Sequence, residues 1–293
     1  MQEFTIRDIE NLTGIKAHTL RIWEQRYNFF TPKRKESLHR VYNNEDLKHL
    51  LRISFLYHNG WKVSKIAALE QAAILEEIRN YFPGDSDYNY YINNLLEAAL
   101  DFDEFNFMEV LNTTISLIGF EKSIVQVCYP YLIKLGQLWS TNNVIPAQEH
   151  FSSYLIQNKI ISETEKLDHP STEPEIILLC PKGEYHELPL LFINYMLRKN
   201  SWGTIYLGPN TSFEELEQVV SVTGIKKIYI HLITNFTGLQ LDEYMENVCR
   251  KFSNSQVLLS GEGFRSLQRQ FTNMKHLKSE KDIYNFFLEK QIT

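Results

Sequence analysis

The sequence predicts a multi-domain chain with three parts. These are a small, mostly helical head with a short β hairpin, a helical bundle, and a doubly wound α/β domain with a parallel sheet. Three observations predict this. Residues 1–82 carry a helix-turn-helix pattern in a basic stretch. Residues 88–166 show long amphipathic periodicity with sparse glycine and proline. Residues 175–293 alternate short apolar runs with segments of helical length.

Each element follows from local chemistry. Thr5 lies three residues before Asp8, a capping spacing that starts a helix with Ile6, Ile9 and Leu12 on one stripe. Thr13-Gly14 turns the chain, and a second helix is expected from Lys16 to Tyr27, with Leu20 and Trp23 one turn apart. The basic stretch 31–42 ends in Val41-Tyr42, a pair that favours a strand. Asn44 is expected to cap a helix from Glu45 to Asn59 that Gly60 ends. Pro83-Gly84-Asp85-Ser86-Asp87 reads as a linker, and so does the stretch from Leu167 to Pro174. Between the linkers, Leu95, Leu96 and Leu100 share a face, as do Ile124, Val127, Leu132 and Leu135. Beyond them, 176–180, 204–207, 227–230 and 257–259 read as strands. Helical segments 189–200, 212–222 and 239–252 separate those strands, so the sheet should be parallel and covered on both faces.

Composition fixes the class. A chain of 293 residues exceeds one ordinary domain, and 43% apolar with 23% charged residues excludes a mostly disordered chain. The net charge of −6 hides an asymmetry: residues 1–75 hold twelve Lys/Arg against eight Asp/Glu, the remainder 18 against 28. A basic head thus sits on an acidic body. Cys128, Cys180 and Cys249 lie far apart, which indicates neither a disulfide framework nor a thiolate zinc site. The first residues are charged and no apolar run approaches membrane-spanning length, so the expected location is cytoplasmic, with no membrane partner.

The second helix presents Lys16, Thr19, Arg21 and Arg26, while Leu20 and Trp23 hold it against the core. Such a basic face is either simply solvated or an electrostatic contact. The hairpin that follows adds Lys33, Arg34, Arg40 and Tyr42. Together they point to double-stranded DNA, with the helix in the major groove and the hairpin along phosphates. Phe4-Thr5-Ile6, Thr13-Gly14-Ile15, Thr19-Leu20-Arg21, Trp23-Glu24-Gln25-Arg26-Tyr27, Pro32, Arg40-Val41-Tyr42, Asp46-Leu47 and Gly60 resemble the winged helix-turn-helix head of the MerR family of transcription regulators. The resemblance implies a wing around Lys33–Arg40 and binding as a dimer to paired half-sites.

In the third part, Glu184-Tyr185-His186 sits on a loop at the carboxyl end of the first strand, where ligands of such sheets bind. A carboxylate beside a histidine can orient the imidazole toward a metal, although a lone loop histidine is more often merely solvated than a ligand. The segment resembles the D/E-x-H-x-x-G signature of cobalamin-binding domains, which have a Rossmann-like (flavodoxin-like) fold. The resemblance implies that His186 is the lower axial ligand of cobalt and Glu184 its partner. Trp139, followed nine residues later by Glu149-His150, resembles the W-x9-E-H of the helical cap in light-responsive cobalamin regulators of the CarA and CarH class. The cap is expected to be four-helix-bundle-like.

Three departures stand out. Pro189 replaces the closing glycine. His231-Leu232-Ile233 and Ser260-Gly261 stand where the S-x-L and G-G elements line the slot for the nucleotide tail. Ser140 replaces the histidine that captures cobalt after photolysis, so photoswitching by that route is not expected.

The expected function is that of a DNA-binding repressor, not an enzyme. Its oligomeric state, dimer or tetramer, and its DNA affinity would be set by a corrinoid, adenosylcobalamin, held between cap and α/β domain by Trp139, Glu149, His150, Glu184, His186, His231, Ser260 and Gly261. One alternative is a cofactor-free sensor acting through protein contacts. Another is a cobalamin-dependent methyl-transfer protein, against which no stretch remains for a substrate barrel.

Overall fold

The computed structural model describes residues 3–27, 32–34, 40–81, 88–140, 146–167, 173–234 and 240–291. The chain forms two compact units, Met1–Leu155 and Ile156–Thr293. Both expected linkers, 83–87 and most of 167–174, lie outside the described residues.

The first unit opens with the expected capping box. The Thr5 hydroxyl accepts from the Asp8 amide, and the Asp8 carboxylate accepts from the Thr5 amide. Helix α1 (Ile6–Thr13) then ends at Gly14 in the left-handed conformation. Helix α2 (Ala17–Tyr27) begins where Glu10 accepts from the Ala17 amide at 3.1 Å. Strands β1 (Lys33–Arg34) and β2 (Arg40–Val41) pair antiparallel as the base of the hairpin. Residues 35–39, between the two strands in sequence, lie outside the described residues. Helix α3 (Asn44–His58) is capped by Asn43 rather than Asn44, because Asp46 stands three residues after Asn43 and closes the reciprocal pair of bonds. Short helices α4 (Val63–Ala67) and α5 (Gln71–Arg79) come after it.

Helices α6 (Tyr88–Leu100) and α7 (Glu104–Ile118) come next. A longer run then joins α8 (Phe120–Lys122), a π-helical segment (Ser123–Cys128) and α9 (Tyr129–Ser140), and α10 (Pro146–Glu165) completes the four helical runs. Leu95, Leu96, Leu100, Ile124, Val127 and Leu135 are buried as expected. Leu132 is only half-buried: the π segment widens its turn and rotates the residues C-terminal to it. Two ion pairs fasten α3 to α6 and the turn after it, Lys48 to Asp101 at 2.8 Å and Arg52 to Glu97 at 2.6 Å.

The second unit is a five-stranded sheet of β3 (Ile176–Pro181), β4 (Thr204–Thr211), β5 (Lys227–His231), β6 (Gln256–Ser260) and β7 (Met274–His276). All its pairings are parallel, and the order β4-β3-β5-β6-β7 is that of a flavodoxin-like doubly wound sheet. Helices α11 (Leu188–Lys199), α12 (Phe213–Thr223), α13 (Leu241–Lys251) and α14 (Glu280–Leu288) connect and flank the strands. The sheet positions Ile177, Leu179, Ile228, Ile230, Val257 and Leu259 pack with Leu216, Met245, Val248 and Phe252. Burial of each such aliphatic side chain stabilises the unit by about 1.5–3 kcal/mol. Strand β7 and helix α14 were not anticipated from the sequence, and β4 runs four residues past the expected Leu207 through register shifts opposite β3.

Candidate nucleic-acid interface and ligand site

Helix α2 is anchored by buried Leu20 and Trp23, which leaves Lys16, Arg21 and Arg26 exposed and Thr19 half-buried. Lys16 lies 3.0 Å from Glu10, and the Arg26 guanidinium stacks over the Tyr27 ring. His18, Ile22 and Gln25 share the outer face with Arg21. None of the three is a fixed cation, so charge alone does not reveal them, although a helical wheel opposite Leu20 and Trp23 marks them.

The hairpin contributes differently from expectation. Arg40 Nε donates to Glu24 on α2 at 2.6 Å in a largely buried pair, so Arg40 ties β2 to α2. Tyr42, expected as a contact, is 1% exposed and pairs its backbone with Phe4. Burial pushes its hydroxyl up to about 12, and its ring packs the head instead of reaching outward. The side chains of Lys33 and Arg34 lie outside the described residues.

In the second unit the Glu184–His186 loop is built at the carboxyl end of β3. The Gly183 amide donates to Asn210 Oδ1 and the Asn210 amide to the Glu184 carbonyl, both at 2.9 Å, which pins the loop to the end of β4. The Glu184 side chain is 1% exposed. One of its oxygens accepts from the His186 amide at 2.9 Å and lies 2.6 Å from His186 Nδ1. The other accepts from the amides of Ile233 and Thr234 at 2.8 and 2.7 Å. Burial alone would raise this carboxyl, but the bonds from His186 and Thr234 outweigh it and hold Glu184 at about 2. An ionised carboxylate only accepts, so Nδ1 carries the proton and the lone pair of the neutral ring belongs to Nε2. The His186 side chain is 53% exposed. A metal ligand needs that combination of fixed tautomer, anchored ring and accessible side chain.

Pro189 sits in the first turn of α11, where a missing amide hydrogen is harmless, so the helix accommodates it in place of glycine. His231, Ser260 and Gly261 gather at the same end of the sheet, at the ends of β5 and β6. Burial pulls the His231 imidazole down to about 4, with His186 adding to the effect and Glu184 opposing it. Gly261 has φ 104°, and a Cβ there would lie 2.2 Å from the Leu232 carbonyl oxygen. A Cβ on Gly263 would lie 2.5 Å from Leu232 Cγ. These glycines serve the protein's own close packing.

Trp139, Glu149 and His150 belong to the first unit. His150 is exposed, with Nε2 3.7 Å from Glu149, and the side chains of Trp139 and Ser140 lie outside the described residues. Among the described residues, no three His, Cys, Asp or Glu side chains group to hold a bare ion, and no helix is long and apolar enough to cross a membrane. A single imidazole such as His186 suits a metal already held by an organic ring. His186 could therefore hold a corrinoid's metal, whereas His231, Ser260 and Gly261 are packed against one another and Leu232.

Comparison with known proteins agrees with this anatomy. Residues 4–73 match the MerR HTH family regulatory protein family, and residues 91–161 match the B12 binding domain. The HTH-type transcriptional repressor CarA of Myxococcus xanthus is 25% identical over 89% of this chain and 87% of its own length. The repressor CarH of the same organism is 24% identical over 74% of each. The monomethylamine corrinoid protein of Methanosarcina barkeri shares the fold, with a TM-score of 0.53 at 14% identity over 67% of this chain and 95% of that one. The chain is thus a homologue of the transcriptional repressors CarA and CarH, with a MerR helix-turn-helix head followed by a B12 binding domain.

Proposed function

We propose that this protein is a DNA-binding transcription repressor whose oligomeric state and DNA affinity are set by a corrinoid. The single observation that carries the corrinoid half is the Glu184–His186 pair: a buried, ionised carboxylate fixes the tautomer of an accessible imidazole at a strand end. His186 would ligate cobalt through Nε2, and Glu184 would keep that nitrogen a base. The bound group would supply a cobalt centre carrying an exchangeable upper ligand, the adenosyl form in this reading. Homology to two named repressors and the exposed cations of α2 support the DNA half.

The regulation is one of linkage. A ligand shifts assembly only as far as it binds one state better than the other, and a swing from 1:99 to 99:1 requires about 10⁴-fold discrimination. Self-association as a dimer or tetramer in the cytoplasm and the absence of enzymatic turnover belong to the same reading. So do the contributions of Trp139, Glu149 and His150 to corrinoid binding, and of Lys33 and Arg34 to phosphate contacts.

The test is retention of colour. Wild-type protein incubated with a corrinoid and desalted should keep the corrinoid absorbance, and His186→Ala should elute colourless. A colourless wild type would leave a second reading, a cofactor-free sensor acting through protein contacts. The tight closure of Gly261 and Gly263 on Leu232 favours that alternative.

A further inference from the structure

Strands β5 and β6 end side by side, with His231 paired to Ser260 in parallel register. The Tyr229 hydroxyl donates to Ser260 Oγ at 2.9 Å, and Ser260 Oγ lies 2.7 Å from His231 Nδ1. Ser260 is fully buried, so its own proton goes to Nδ1, and the neutral His231 ring carries its hydrogen on Nε2. Nε2 is shut from solvent and has no hydrogen-bond partner among the described residues.

Aromatic rings fill the space around the relay. The Phe286 ring lies 6.1 Å from Tyr229 and 5.3 Å from Trp202, whose indole donates to the Phe287 carbonyl at 3.0 Å. Tyr229, Phe286 and Phe287 are all buried, and on the β6 side Gly261 and Gly263 already press on Leu232.

We propose that this α/β unit has no compartment for a nucleotide tail, and that its ligand is a tail-less corrinoid of the cobinamide class seated at the strand ends by His186. The inference rests on the corrinoid reading above and narrows its ligand. Tyr229, His231 and Ser260 form a plug, hydrogen-bonded within itself and packed by rings that a tail would have to displace. Adenosylcobalamin carries its own benzimidazole base, which would compete with His186 for the metal. Displacing that base leaves it to be housed, and the plug denies it a buried place. Adenosylcobinamide has no such base, so His186 meets no competitor.

The full-length protein is mixed separately with adenosylcobinamide and adenosylcobalamin, desalted, and read by absorbance, with thermal melting of each mixture as a second readout. Adenosylcobinamide should be retained and raise the melting temperature, with an apparent Kd about tenfold or more below that of adenosylcobalamin. Equal or tighter retention of adenosylcobalamin overturns the plug and leaves the corrinoid reading intact. Retention of neither compound overturns both. Tyr229→Ala removes a ring from the plug and should narrow the gap, and the wild-type comparison decides the matter whether or not that variant folds.

Discussion

In the head, Arg21 and Arg26 stand exposed on a helix that Leu20 and Trp23 hold from behind, and removing either cation leaves that packing in place. In the α/β unit, Glu184 is sealed under its loop and bonded to backbone some 50 residues away. The difference teaches where function and stability separate. A surface that reads a polyanion needs charge at its rim, and solvated charges contribute little to folding. A site that fixes an imidazole needs a buried carboxylate, so its removal unfolds what it positions.

The largest expected effect comes from the buried side. Glu184→Ala takes the acceptor from Ile233 and Thr234 and should cost about 3–5 kcal/mol in urea unfolding. A loss near zero would break the contrast between the two regions. Next comes pH. A histidine in the unfolded chain protonates near pH 6.5, whereas buried His231, facing Glu184 and His186, does so only at about 4. The unfolded state takes the proton first, so stability falls as pH drops from about 6.5 through about 4, by about 3 kcal/mol. Glu184 takes over at lower pH: its contribution is lost as pH falls from about 4.3 through its folded value of about 2. Urea midpoints measured against pH should show both windows, and His231→Phe should flatten the first. The smallest effect on stability belongs to the head. Arg21→Ala should move the unfolding midpoint by under about 0.5 kcal/mol, yet weaken DNA binding and change which sequence is preferred. A large stability loss in this variant would put Arg21 in the fold instead of on the interface.

The features legible in the sequence are local. The Thr5–Asp8 box, four of the five strands of the sheet and the Glu184–His186 spacing are all short-range patterns, and each lies where it was expected. The misses have physical causes. Met274-Lys275-His276 is a short edge strand with no fully buried residue, and it offers no apolar run to find. Helix α14 does carry a signal, a Ser279–Asp282 capping box, but it lies beyond the last alternation of apolar strand and helix. Arg40 reads in the sequence as one of the hairpin's DNA contacts, and its bond to Glu24, 16 residues away, is visible only in the fold. The backbone donors at Ile233 and Thr234 carry no side-chain signature at all. His231 and Ser260 were legible as departures by spacing, but the Tyr229 hydroxyl that links them into a plug was not.

The most direct test of the central claim is the affinity of the purified protein for duplex DNA from upstream of its own gene, measured by fluorescence anisotropy at low ionic strength with and without corrinoid. Tighter binding to that duplex than to random sequence is the predicted result, with an apparent Kd that moves about tenfold when the corrinoid is added. Failure to bind duplex DNA under every ligand condition, or a Kd indifferent to the corrinoid that the protein retains, would contradict it.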